Sequence, residues 1–183
     1  MKVKFFSVVF FALAILVGCK KRDTFANNSF FDKTFNWTIT VPDDYEKINQ
    51  SEEVNNPILA KTTHSIVAFR RDKANYFLAN YEDYSGDIRS VDLKMKLKDF
   101  LLLKDIGHIY PKAQMGNYSV SKENISGLEF RKSKIEITEN KKTVATVVIF
   151  SSNFEDKIFI ASIIYENENY GNAMIDLFKQ STF

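Results

Sequence analysis

Apolar and polar residues alternate through Phe35-Asn36-Trp37-Thr38-Ile39-Thr40-Val41, a period of two that puts Phe35, Trp37, Ile39 and Val41 on one face of a β-strand. Pro42-Asp43-Asp44 ends it. Residues 45–60 are rich in Asn and Glu and contain Pro57, which reads as loop with room for a short strand near Ile58. Residues 64–70 and 76–81 are strand patterns joined by Arg71-Asp72-Lys73-Ala74-Asn75 and predict a hairpin. Ser85-Gly86-Asp87 breaks the pattern, and Ser90 fits a helix N-cap with Asp92 in the first turn. Leu93, Met95 and Leu97 alternate with Lys94, Lys96 and Lys98, as in a strand, but Leu93, Leu97, Phe100 and Leu101 follow the helical i, i+4, i+7, i+8 spacing. The run of Leu, Lys and Met favours helix, predicted over 90–105 and closed by Gly107 and Pro111.

Strand chemistry returns after Gly116, over 118–125, 128–138, 143–151 and 157–165, with polar turns at 139–142 and 152–156. These predict an antiparallel meander. Val144, Val147, Val148, Ile149 and Phe150, then Ile158, Phe159, Ile160, Ile163 and Ile164, are apolar at both parities, so both faces of their strands require cover. Tyr170, Met174, Leu177 and Phe178 supply a second helix, with Asn167 or Asn169 as its cap. The fold class expected is α+β: an antiparallel sheet of about six strands sandwiched by helices.

Ahead of this domain, Lys2 and Lys4 precede FFSVVFFALAILVGC, residues 5–19. Its apolar part is shorter than the roughly 20 residues that span a bilayer, and basic residues followed by a short apolar run are the pattern of a secretory signal peptide. Leu16-Val17-Gly18-Cys19 resembles the lipobox of bacterial lipoproteins, in which the cysteine is lipidated and becomes the mature N-terminus. The resemblance implies a signal peptide over 1–18 and a diacylglyceryl group on Cys19, often with a further acyl chain, in keeping with the need for more than one chain for stable anchoring. Cys19 is the sole cysteine, so its acylation leaves no thiol for a disulfide, a nucleophile or a metal. Lys20 stands where some bacteria use Asp as an inner-membrane retention signal, which favours the outer membrane.

Charge then changes meaning. The chain carries 25 Lys plus Arg and 23 Asp plus Glu; loss of Lys2 and Lys4 equalises them, and no basic face for nucleic acid is expected. Residues 19–28 are too polar to order themselves and form a tether, with Lys20-Lys21-Arg22 beside the headgroups. A flexible chain of that length holds the domain, residues 29–183, on the order of 15–20 Å from its anchor.

The opening strand and its stop, Asn36 through Tyr45, and the closing Ile-rich strand, Asn-led helix and terminal Ser181-Thr182-Phe183 resemble the PsbP/Mog-like fold, which also occurs in small bacterial lipoproteins related to DcrB. This resemblance implies an antiparallel sheet between helices. It implies no reaction, since a fold does not fix a function.

Candidate chemistry is sparse. His64 and His108 lie far apart, each without an acidic residue at helical ligand spacing, so no metal site is expected. Asp83-Tyr84-Ser85-Gly86-Asp87 is part of a calcium-loop pattern, with Asp92 as a closing residue, but Tyr81 stands at the first ligand place and no Glu ends it. Asp43-Asp44 and Glu52-Glu53 are sequence neighbours whose side chains diverge on a strand. No Gly-x-Ser-x-Gly or phosphate-binding glycine loop occurs, and no cofactor is expected. Lys94, Lys96, Lys98 and Lys104 are interleaved with Asp92, Asp99 and Asp105, the pattern of a solvated helix side. Tyr76, Tyr81 and Tyr84 are the candidate partner-binding surface. The functional expectation is a membrane-anchored, non-catalytic binding or assembly module with an envelope partner. The alternative is a hydrolase or small-ligand carrier with a site assembled from distant residues such as His64, Asp83 and His108.

Overall fold

A computed structural model describes residues 28–48, 64–84, 92–97, 99 and 110–183. The strands are β1 (Ser29–Asp32), β2 (Trp37–Thr40), β3 (Glu46–Lys47), β4 (His64–Arg70), β5 (Tyr76–Asp83), β6 (Gln114–Ile125), β7 (Leu128–Glu139), β8 (Lys142–Phe154) and β9 (Lys157–Tyr165). Residues 92–97 and 99 are helical, here α1, and α2 spans Glu168–Lys179. Seven strands form one sheet in the order β3-β4-β5-β9-β8-β7-β6, antiparallel at every pairing.

The meander β6 to β9 follows the predicted order, because its turns have the chemistry that tight hairpins demand. Ser126 and Gly127 have φ of 52° and 83°, and Asn140 and Lys141 have 51° and 63°, the positive values that match a two-residue turn to strand twist. β6 begins four residues before the predicted strand and β8 runs three beyond it. β3, two residues long and paired with β4, falls where the sequence reads as loop.

The strands alternate between two cores, as their double apolar parity requires. One core holds Val148, Phe150, Phe159 and Ile163 of the sheet with Met174 and Phe178 of α2. The other holds Val147, Ile149, Ile158, Ile160 and Ile164 with Met95 of α1. Asn167 caps α2, its side chain accepting from the backbone N–H of Asn169 and Tyr170, and Gly171 lets the helix lie against the Tyr165 ring.

The opening strand departs from expectation. β2 pairs with β1 in a separate two-stranded sheet, so on that face the cover is a hairpin as well as a helix. Phe35, Trp37, Ile39 and Val41 do share one buried face. The C-terminus closes onto them: Thr182 bridges Thr38, the buried Trp37 Nε1 donates to Ser181 Oγ at 2.8 Å, and the Phe183 ring stacks on Trp37 at 6.0 Å. The two segments that carried the family resemblance are therefore one packing unit.

The helix prediction is corrected in its facing. Leu93 and Leu97 are 61% and 55% exposed, while Met95 and Asp99 are buried. Asp99 is thus no part of a solvated side; it turns inward because Arg131 waits beneath it. Phe100, Leu101, the predicted cap Ser90 and the stop Gly107 lie outside the described residues.

Candidate functional site

Strand parity separates the three tyrosines. Tyr76 and Tyr84 lie on the α1 side of β5, Tyr76 packing against that core and Tyr84 buried within it. Tyr81, of opposite parity, packs against the α2 core and edge-on to Phe35 at 5.4 Å. They do not form one contact surface. Burial first, then the nearby Glu166, pushes the Tyr76 hydroxyl up to about 12.

The structure does unite His64 with Asp83. His64 Nε2 lies 3.3 Å from Asp83 Oδ2, both side chains more than half exposed, and the imidazole stacks on Tyr81 at 4.6 Å. Lys157 Nζ approaches the other Asp83 oxygen at 3.7 Å. A carboxylate can orient an imidazole in this way. His108 and the loop 85–91, with Ser85 and Gly86 of the calcium-like pattern, lie outside the described residues. Among the described residues no three His, Cys, Asp or Glu side chains converge as metal ligands.

The densest polar chemistry lies between the sheet and α1, where the sequence pattern promised only core. Asp99, 1% exposed, accepts on Oδ2 from Arg131 Nη1 at 2.7 Å, Ser133 Oγ at 2.7 Å and Tyr118 OH at 2.9 Å. Arg131 Nη2 also donates to the Tyr118 hydroxyl at 2.9 Å, and its Nε faces Asp92 at 3.5 Å. A buried carboxylate is tolerable only with such pairing. Burial, then the bond to Asp99, raises the Tyr118 hydroxyl above its ordinary value, so the phenol stays a donor.

Beside this saturated network the same face carries polar groups of a different kind. On β5, Asn80 and Glu82 share the parity of Leu78 and Tyr84; on β8, Ser151 and Asn153 share that of Val147 and Ile149. Asn80, Glu82 and Ser151 are 8%, 5% and 3% exposed. Lys94 of α1 reaches to 4.0 Å from Glu82 and lies 4.6 Å over the Tyr84 ring. Among the described residues, Asn80 Oδ1, Ser151 Oγ and Asn153 Oδ1 are buried without any hydrogen-bond partner, and native interiors seldom leave such groups unmet. The signal was present in the sequence as Asn80, Glu82, Ser151 and Asn153 interrupting apolar strands at core parity. Reading those strands only for their apolar residues passed over it.

On the α2 side, a cavity of about 270 Å³ at the helix N-terminus is lined by Lys134, Glu136, Thr146, Tyr165, Glu166 and Glu168 among others. Two of its carboxylates have partners of their own: Tyr110 OH donates to Glu166 and Asn117 Nδ2 to Glu136.

These elements define an α+β domain: an antiparallel seven-stranded sheet, a hairpin and α2 on one face, α1 and a buried polar cluster on the other. Its solved neighbours place it among PsbP-like folds. The solution structure of cyanobacterial PsbP (CyanoP) from Synechocystis sp. PCC 6803 superposes with a TM-score of 0.55 at 8% identity, covering 82% of this chain and 85% of that one. A crystal structure from Bacteroides thetaiotaomicron VPI-5482 matches with a TM-score of 0.50 at 11% identity over 84% of this chain, which spans 47% of that longer protein. A point mutant of the protein Mog1 aligns with a TM-score of 0.41 at 8% identity over 83% of this chain and 85% of its own. No family model matches the sequence, and no curated protein matches it. At such identities the likeness describes architecture alone.

Proposed function

We propose that the chain is a lipid-anchored envelope lipoprotein of the DcrB-related kind, acylated at Cys19, whose α/β/α domain binds an envelope component without catalysing a reaction. The observation that carries this reading is the apolar run of residues 5–18 ending at the chain's sole cysteine. The described fold supports it, because β1 begins at Ser29, only ten residues beyond Cys19, which keeps the domain close to its anchor. Lys20 favours the outer membrane. Leu93 and Leu97, exposed one turn apart on α1, give a place to report on partners. A photo-crosslinker at Leu93 in intact cells is expected to capture an envelope component that a Cys19→Ser chain, released from the membrane, does not. Identical products from both forms would remove the anchor from the function.

A second reading, a hydrolase or small-ligand carrier, is favoured by the meeting of His64 with Asp83. It requires turnover that His64→Ala abolishes, and turnover untouched by that change would refute it.

A further inference from the structure

We propose that the cavity beside the N-terminus of α2 binds a free basic amino acid, one whose side chain carries a second cation. The inference goes beyond the anchored binding module and does not depend on the lipid.

The register builds the walls. Lys134 and Glu136 of β7 are opposite Val148 and Thr146 of β8, and Thr146 is opposite Tyr165 of β9. The one register shift of the β7–β8 ladder lies further on, after Ile137. Glu136, Thr146 and Tyr165 therefore form a row across three strands, with Lys134 on the same face one step along, about 7 Å away. Glu166 and Glu168, on either side of the Asn167 cap of α2, complete the polar lining. The space they enclose is about 270 Å³, just below the range of sites for drug-sized ligands and suited to one small molecule.

The lining selects the ligand. Three carboxylates and one ammonium face the cavity, and among the described residues none of the four has an ion-pair partner. Tyr110 and Asn117 donate to Glu166 and Glu136, but neutral donors orient a carboxylate and leave its charge in place. The carboxylates do not converge on a point that could hold a metal ion, so they suit an organic cation with separated charges. The hydroxyls make the opposite demand. Thr146 and Tyr165 are 7% and 5% exposed and line the same cavity. They share one hydrogen bond and hold two protons, so one buried proton has no acceptor among the described residues. Burial above all, with Glu168 and Glu136 adding to it, raises the Tyr165 hydroxyl above its ordinary value, which keeps the phenol a donor.

That proton and Lys134 require an anionic acceptor, while the carboxylates require cations. A diamine leaves the first demand unmet, and an acidic amino acid is repelled by the second. An α-amino acid carries ammonium and carboxylate roughly 3 Å apart; with charge-assisted contacts of about 2.8 Å at each end, it bridges the distance from Glu136 to Lys134. A cationic side chain then answers Glu166 and Glu168.

The test is isothermal titration calorimetry of the full chain in non-ionic detergent at low salt, with L-lysine, L-arginine, cadaverine and L-glutamate as probes. Lysine or arginine is expected to bind saturably at one site, with cadaverine at least tenfold weaker than lysine and glutamate inert. Glu136→Gln weakens lysine about tenfold, the loss of one charge-assisted hydrogen bond. Lys134→Met weakens lysine by a similar factor and leaves cadaverine no weaker, which a merely structural role for Lys134 would not produce. Lysine and arginine both inert, cadaverine as tight as lysine, or affinities unchanged in both variants overturn the proposal. The comparison of probes on the unaltered chain decides the matter even where a variant fails to fold. Because it involves no membrane, its outcome is separate from that of the anchor.

Discussion

Replacing Arg131 with Met tests whether the Asp99 network holds α1 to the sheet. The change removes the guanidinium that donates to Asp99 at 2.7 Å and leaves a carboxylate, 1% exposed, with only Ser133 and Tyr118 as donors. Breaking a buried pair from one side costs about 3–5 kcal/mol, because the remaining charge is neither solvated nor neutralised. Asp99→Leu leaves Arg131, its side chain 11% exposed, facing the solvated Asp92 at 3.5 Å, and belongs in the same range. The double variant removes both charges but strands the Ser133 and Tyr118 hydroxyls that bonded to them, so it recovers part of the loss and ends more stable than either single variant. Urea unfolding followed by the fluorescence of Trp37, the single tryptophan and a member of the opposite core, measures the whole cycle. A loss below about 1 kcal/mol in Arg131→Met, or a double variant no more stable than the worse single one, would refute the reasoning.

Three further outcomes are expected. Gly171→Ala places a Cβ 2.3 Å from Cγ of the Tyr165 ring; helix and sheet must separate, and thermal unfolding is expected to show a loss of about 1–3 kcal/mol, whereas an unchanged melting point would contradict the close approach. The Tyr76 hydroxyl, raised from 10.0 to about 12, stays protonated in the fold after it would ionise in the unfolded chain. Its contribution is complete below pH 10 and is lost as pH rises through about 12, roughly 2–3 kcal/mol; Tyr76→Phe is expected to flatten that limb of the stability profile. Deleting residues 181–183 removes the Ser181 acceptor of Trp37 and the Phe183 ring stacked on it, with an expected loss of about 2–4 kcal/mol and a red-shifted tryptophan emission.

Long alternating strands and chemically specific turns were legible in the sequence because local pattern alone determines them. The meander from β6 to β9 and the Asn167 cap are of that kind. Short elements were not: β1 and β3, with four and two residues, exist because a partner strand holds them. α1 misled in its facing because Leu93 and Leu97 have the spacing of a core stripe, yet the buried ion pair takes Asp99 inward and Met95, four residues before it, follows on the same side. The tyrosines were separable from sequence by parity, since Tyr81 differs from Tyr76 and Tyr84. His64 and Asp83 meet only because β4 and β5 pair with His64 opposite Tyr81, a register that no single strand reveals. That Asn80, Ser151 and Asn153 share one buried face depends on β5, β9 and β8 together and needed the sheet order.

Metabolic labelling with palmitate, followed by envelope fractionation, tests the central claim of an anchored envelope protein most directly. The account predicts a labelled chain in the membrane fraction, and loss of both label and membrane retention in Cys19→Ser. Label that persists in Cys19→Ser, or an unaltered chain that takes up none, would contradict it.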